Sequence, residues 1–302
     1  MTGNFMLPKV DLDHPPVRLR INNYPLYTIK SGALSLSSST TLSNLTESGN
    51  VALDEAGAYA YAIGHPPMSG VAISGYAIGS GSFVPLSGSP YTFFSSNVFY
   101  TPAWLQTAPA SNFLYGTFLD SIGSGGAFGV IKKNADGTLG GFASGSPVPC
   151  AITSVILNFV VAAAEPTQTF VYYPCSGKIG SASIDPSTGA ITATSVFVGG
   201  VRVAVDPSGK WLLTWINGSS TVDVLLIDPS TGALMEESNP QFPANGYVMA
   251  FDHTGRFLYV VNSGNNSTTA YSFDAGTGVL APIQGATYAT AQVPVAVTVA
   301  QP

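Results

Sequence analysis

Charge is what this sequence has least of. Only 9% of its 302 residues are Asp, Glu, Lys or Arg, against roughly a quarter in ordinary soluble proteins. Ten Lys and Arg stand against sixteen Asp and Glu, with no basic run. That excludes nucleic acid as a partner, because phosphate backbones need clustered cations. Long apolar runs are missing too. The longest, from Val155 to Ala164, is interrupted by Asn158 and is too short to span a membrane. The stretch from Met1 to Val10 lacks the basic start and apolar block of a signal peptide. A mature form, a domain cut from a longer chain or a cytoplasmic protein would all read so, and an extracytoplasmic place is favoured over the cytoplasm. Cysteine is scarce, with Cys150 and Cys175 alone. A disulfide fits an oxidising compartment, while two buried thiols are the simpler reading. No amphipathic helix, P-loop, dinucleotide fingerprint or nucleophile elbow occurs. Neither His nor Cys has metal-ligand spacing, and the EF-hand pattern of acids is absent.

What is present is apolar, small and repetitive. Apolar residues make up 45% of the chain, enough for a sizeable core. The phrase from Ile184 to Ile191 (Ile-Asp-Pro-Ser-Thr-Gly-Ala-Ile) returns almost unchanged from Ile227 to Leu234. Asp opens such a turn, Pro presets φ, and Gly supplies φ > 0 before the next strand. Six turn markers of this kind, at Gly32, Gly81, Gly137, Gly189, Gly232 and Gly278, are spaced 43 to 56 residues apart. That is the period of a four-stranded propeller blade, somewhat stretched. A second turn alternates with the first, at Asp206-Pro207-Ser208-Gly209 and Asp252-His253-Thr254-Gly255, with a degenerate copy at Asp54-Glu55-Ala56-Gly57. Each unit therefore reads strand a, turn, strand b, loop, strand c, turn, strand d. The runs between are dense in Val, Ile, Tyr, Phe and Thr, as strands require.

The expected fold is all-β, a single β-propeller over residues 1–302 with four-stranded antiparallel blades. Six blades are favoured, with five or seven as alternatives. Residues 1–22 read as an irregular segment, since Pro8, Pro15 and Pro16 exclude a long helix. Residues 295–299 read as a strand a that completes the N-terminal blade, which would remove an open edge.

The residues from Val203 to Leu234 and from Met249 to Ile283 resemble the bacterial lactonase-type propellers, which include 6-phosphogluconolactonase. The resemblance is strong over 200–285, recognisable over 50–90 and 130–195, and faint before 50. It implies a hydrolase acting on a lactone. Two features depart from that family: it usually has seven blades, and its proposed catalytic cluster of His, Arg and acids has no counterpart pattern in a chain with three His and four Arg. No catalytic residue is carried across.

Propeller topology sorts the polar groups instead. With the a–b and c–d turns at one end, Asp185, Asp206, Asp228, Asp252 and Asp274 become turn-shaping residues through Asx hydrogen bonds. Glu165 is read the same way. The b–c and d–a loops lie at the other end. They offer His65, Asp120, Lys178, Asn217 and Asn262, together with Trp104, Arg202 and Tyr247. Lactone hydrolysis needs a base for water and donors for the oxyanion. His65 or Asp120 suits the base, and Arg202 or Lys178 the donor. Lys178, Asn217, Asn262, Trp104 and Tyr247 suit substrate binding in an aromatic, amide-rich pocket. Plainer readings stand beside these: a surface loop for His65, a blade-to-blade bond for Arg202, and a capped turn for Asp120, Asn217 and Asn262. Calcium in the channel, held by carbonyls, Asn and Asp120, is compatible with the composition. A small molecule at the channel mouth is the expected partner, and the chain is read as a monomer. The alternative is a non-catalytic propeller that binds a ligand or a protein, which fits the poverty of ionisable groups.

Overall fold

The computed structural model describes residues 4–6, 23–30, 33–41, 48–54, 56–64, 70–79, 82–94, 100–108, 112–120, 126–150, 163–164, 169–175, 178–200, 202–215, 221–236, 242–243, 248–252, 254–262 and 264–290. Among them every regular element is a strand, and six antiparallel sheets form. The first holds β1 (Asn4–Met6), β2 (Asn23–Lys30) and β3 (Ala33–Thr41). The second holds β4 (Ser48–Leu53), β5 (Tyr59–Gly64), β6 (Ala72–Gly79), β7 (Ser82–Pro85) and β8 (Tyr91–Thr92). The third holds β9 (Tyr100–Thr107), β10 (Phe113–Asp120), β11 (Gly126–Lys133), β12 (Leu139–Phe142) and β13 (Val148–Cys150). The fourth holds β14 (Ala163–Ala164), β15 (Phe170–Cys175), β16 (Lys178–Ile184) and β17 (Ile191–Val198). The fifth holds β18 (Arg202–Val205), β19 (Trp211–Trp215), β20 (Thr221–Ile227), β21 (Leu234–Glu236) and β22 (Phe242–Pro243). The sixth holds β23 (Val248–Phe251), β24 (Phe257–Asn262), β25 (Ser267–Asp274) and β26 (Val279–Ala289).

Strand order within the last five sheets follows chain order, a to d. β1 lies inside the stretch that the prolines predict as irregular; its three residues precede Pro8 and pair with Leu26, Tyr27 and Thr28. The closing strand expected at 295–299 lies outside the described residues.

The chain divides into two compact units, Met1–Pro149 with Leu157–Phe159 and Cys150–Ile156 with Val160–Pro302. In the first, Tyr61, Ile63, Val71, Ile73, Leu105, Leu114, Phe118 and Ile131 form one buried cluster. In the second, alternation along the strands splits the core in two. Ala204, Leu213, Trp215, Val222 and Val224 pack toward the sixth sheet with Met249, Leu258 and Val260. Val203, Leu212, Leu225 and Ile227 pack toward the fourth sheet with Phe170, Tyr172 and Ile179. Period-2 burial of this kind is what strands covered on both faces require. The a strands sit side by side: β18 packs against β14 and β23 in the second unit, and β4 against β9 in the first.

The repeated turns behave as the Asp and Gly predict. Asp185 Oδ1 accepts from the Ser187 and Thr188 amides, each at 2.9 Å, and from Ser187 Oγ at 2.6 Å. Asp228 repeats this with Ser230 and Thr231. Asp206 and Asp252 are buried and reach further. Asp206 Oδ1 accepts from the Trp211 amide at 2.7 Å, and Oδ2 from the Ser208 amide at 3.0 Å. Asp252 bonds the Phe257 amide at 2.9 Å and the Thr254 hydroxyl.

These turns also fasten sheet to sheet. Tyr61 OH donates to Gly137 O at 2.8 Å, Tyr172 OH to Gly232 O at 3.1 Å and Trp211 Nε1 to Ala275 O at 2.8 Å. In each case an aromatic of strand b reaches the c–d turn of the following sheet. Gly232 has φ 69°, and a Cβ there would meet the Phe170 ring at 2.4 Å. The turn glycine is thus demanded twice, by its backbone and by the aromatic lying on it.

One element went unread in the sequence. β8, β13 and β22 fold back after strand d and pair with strand c. Two of them follow a Gly-Ser-Pro phrase with a cis peptide, at Ser89-Pro90 and Ser146-Pro147. Ser89 Oγ accepts from the Gly75 amide at 3.0 Å and Ser146 Oγ from the Val130 amide at 2.7 Å. Each hydroxyl thereby satisfies a strand c donor that the ladder leaves over.

Candidate functional site

Register places the candidates at one end of their sheets. Arg202 is the first residue of β18, opposite Trp215, the last of β19. Lys178 opens β16 opposite Cys175. Asn262 closes β24 opposite Ser267. Asp120 closes β10 opposite Tyr100. All four therefore lie at the end away from the Asp turns. They are strand-terminal residues rather than loop residues, and so is the placement of Trp104 corrected: it lies within β9, opposite Thr117. The register shifts just beyond, where Phe118 faces Pro102. Pro102 cannot donate to a ladder, and a bulge absorbs it.

Arg202 is the one buried cation among the described side chains, 4% exposed. Its main chain is held closely. Thr214 Oγ1 donates to Arg202 O at 2.9 Å. Gly199 and Gly200 lead into the strand with φ 101° and 125°. A Cβ on Gly200 would come within 2.1 Å of Thr214 Oγ1 and 2.9 Å of Ile179 Cδ1. Only glycine lets the chain pass there, between Thr214 and the Ile179 side chain of β16. Lys178 itself is exposed. The second unit thus places Lys178, Arg202 and Asn262 at the same end of three successive sheets.

Asn262 is partly committed. Its Oδ1 accepts from the Asn265 amide at 3.2 Å, which is the turn-capping role. Trp104 is half-buried. The side chain of Asp120 is not among those described, nor are those of Cys150 and Cys175. His65, Asn217, Tyr247 and Glu165 lie outside the described residues. Among the described residues no group of three or more His, Cys, Asp or Glu side chains comes together. Among the described residues no helix is long and apolar enough to cross a membrane.

At the turn end the carboxylates are held in the charged form by their own turns. Asp185 is held at about 2, by the Ser187 hydroxyl first and then by the Thr188 and Ser187 amides. Asp228 is lowered by Ser230 and Thr231 in the same way, and Asp274 by the Gly276 amide and Thr277. At Asp252 burial pushes upward, but the bonds from Thr254, Phe257 and Arg256 outweigh it and the net shift is down. Lowered in this way and engaged by their own turns, these carboxylates are weak proton acceptors, poorly matched to general-base work near neutral pH. Sequence reasoning missed Thr214 and Trp215. Both sit in a run, Trp211-Leu212-Leu213-Thr214-Trp215, that reads as core alone.

No family model matches the chain. A protein of Arthroderma benhamiae named "Probable 6-phosphogluconolactonase" is 34% identical over 70 residues, which make up 22% of this chain and 18% of that protein. The periplasmic gluconolactonase of Pseudomonas aeruginosa is similar in structure, with a TM-score of 0.54 over 100% of both chains at 12% identity. A β-propeller domain from Myceliophteria thermophila gives 0.51, covering 87% of this chain and 79% of that one at 11% identity. The fold is therefore a β-propeller of antiparallel sheets, similar to the lactonase-type propellers.

Proposed function

We propose that this lactonase-like β-propeller is a hydrolase that opens a small lactone ring, a sugar lactone or an acyl-homoserine lactone. The observation that carries the reading is the 34% identity over 70 residues with the Arthroderma protein. The buried arginine at the start of strand a of the fifth sheet, away from the turns, supports it. In the proposed reaction His65 or Asp120 takes a proton from water. The hydroxide so formed attacks the ring carbonyl carbon. Arg202, with Lys178, donates hydrogen bonds to the developing oxyanion, the largest single contribution such sites make. Collapse breaks the ring carbon–oxygen bond, and the leaving alkoxide takes up the proton. Trp104, Asn217, Asn262 and Tyr247 wall the substrate.

The proposal includes one propeller over 1–302, six blades, closure by 295–299, a monomer and an extracytoplasmic place. The test is a hydrolysis assay over a panel of sugar and acyl-homoserine lactones, with and without EDTA. Turnover of at least one lactone, lost in Arg202→Met, is expected. No turnover on any lactone moves the reading to a binding propeller. A phosphorylated lactone is the least favoured substrate, because so few Lys and Arg are at hand.

A further inference from the structure

We infer that Trp215 is the positioning residue of Arg202, its indole face carrying the guanidinium at the loop end of the fifth sheet. The role in turnover rests on the lactonase reading; the geometry does not. Arg202 and Trp215 are direct cross-strand partners in the last pair of β18 and β19. Directly opposed residues in an antiparallel pair bring their Cβ atoms to about 4.5–5.5 Å on one face of the sheet. The row continues through Val222 to Phe242. Trp215, Val222 and Phe242 belong to one buried cluster. Arg202 and Trp215 are 4% and 5% exposed. A guanidinium set into an apolar row finds its best support on an aromatic face, because it is planar and weakly hydrated. The next row, Val203, Thr214 and Asp223, points to the opposite face. The Asp223 carboxylate therefore lies on the other side of the sheet from the indole.

The main chain completes the arrangement. Thr214 Oγ1 clamps the Arg202 carbonyl, and the glycine pair before it fixes the approach. With backbone and head group both held, Arg202 meets an oxyanion already aimed. Preorganised donors of this kind act in the transition state without reorganising. Trp215 touches no reacting atom and acts through Arg202.

Arginine side-chain NMR on the full chain tests this. The Arg202 Hδ and Hε signals, assigned by their loss in Arg202→Met, are expected upfield from the indole ring current. The shift should persist in Trp215→Phe, vanish in Trp215→Leu and ignore Asp223→Asn. An unshifted Arg202, or a shift that follows Asp223→Asn instead, overturns the inference. If Trp215→Leu does not fold, the Trp215 ring protons in Arg202→Met replace it: they move if the two groups stack and stay if they do not. On any lactone the panel identifies, Trp215→Leu should lower kcat roughly tenfold with KM little changed, and Trp215→Phe should restore it. A raised KM at unchanged kcat contradicts the positioning role. Absence of turnover on every lactone, with the NMR pattern intact, removes the lactonase reading alone.

Discussion

The two ends of the sheets are made differently. At the turn end the same chemistry is used again and again: an Asp accepts from its own turn, a Gly takes positive φ, and an aromatic from the preceding sheet lies on it. At the loop end the described strand termini differ from sheet to sheet. Arg202, Lys178 and Asn262 occupy comparable strand termini, yet one is buried, one exposed and one capped on its own hairpin. Repetition marks what every blade needs in order to fold. Function at a propeller is a property of the exceptions. The comparison teaches that the conspicuous acids are scaffold and the unremarkable cation is the candidate.

The largest expected effect on folding lies at the turn end. Asp206→Ala strips the buried Trp211 amide of its acceptor, and the exposed Ser208 amide with it. We expect a loss of about 2 kcal/mol in urea unfolding, the usual cost of stranding a buried donor. Next comes Gly232→Ala. It forces an L side chain to φ 69° against the Phe170 ring, for a loss of roughly 1–2 kcal/mol. Both variants should keep wild-type kcat and KM on any lactone that is turned over. A turn-end variant that folds normally yet loses activity would erase the contrast.

Acid gives the mildest effect. Asp185 is depressed to about 2 in the folded chain, against about 3.9 when unfolded. Its contribution is fully present above the unfolded value and is lost as pH falls through the folded one. Melting temperature should therefore decline between about pH 4 and pH 2. Asp185→Asn should flatten that decline slightly and leave neutral-pH activity alone. An unchanged slope would show that the turn carboxylates are bystanders.

The turn end was legible in the sequence because turn chemistry is local. Asp, Pro and Gly within eight residues fix a hairpin wherever they occur, so the strands and the roles of Asp185, Asp206, Asp228 and Asp252 follow directly. The fold-back strands were not legible in the same way. Their Gly-Ser-Pro phrases at 88–90 and 145–147 were visible, but the bonds to Gly75 and Val130 join residues 14 and 16 apart. The candidate site was legible only as a set of residues at one end. Burial of Arg202 goes with its opposition to Trp215, and the approach to it with Gly200 passing Ile179 of another sheet. Neither relation has a sequence signal, and Trp215 reads as core because most of its neighbours are.

The most direct test of the division between the ends is steady-state lactone hydrolysis by the wild type, Arg202→Met and Asp206→Ala, with melting temperature recorded for each. The account predicts a kcat/KM lowered at least about a hundredfold in Arg202→Met with little change in melting. It predicts the reverse pattern, lowered melting and preserved kcat/KM, in Asp206→Ala. Full activity in Arg202→Met would contradict it.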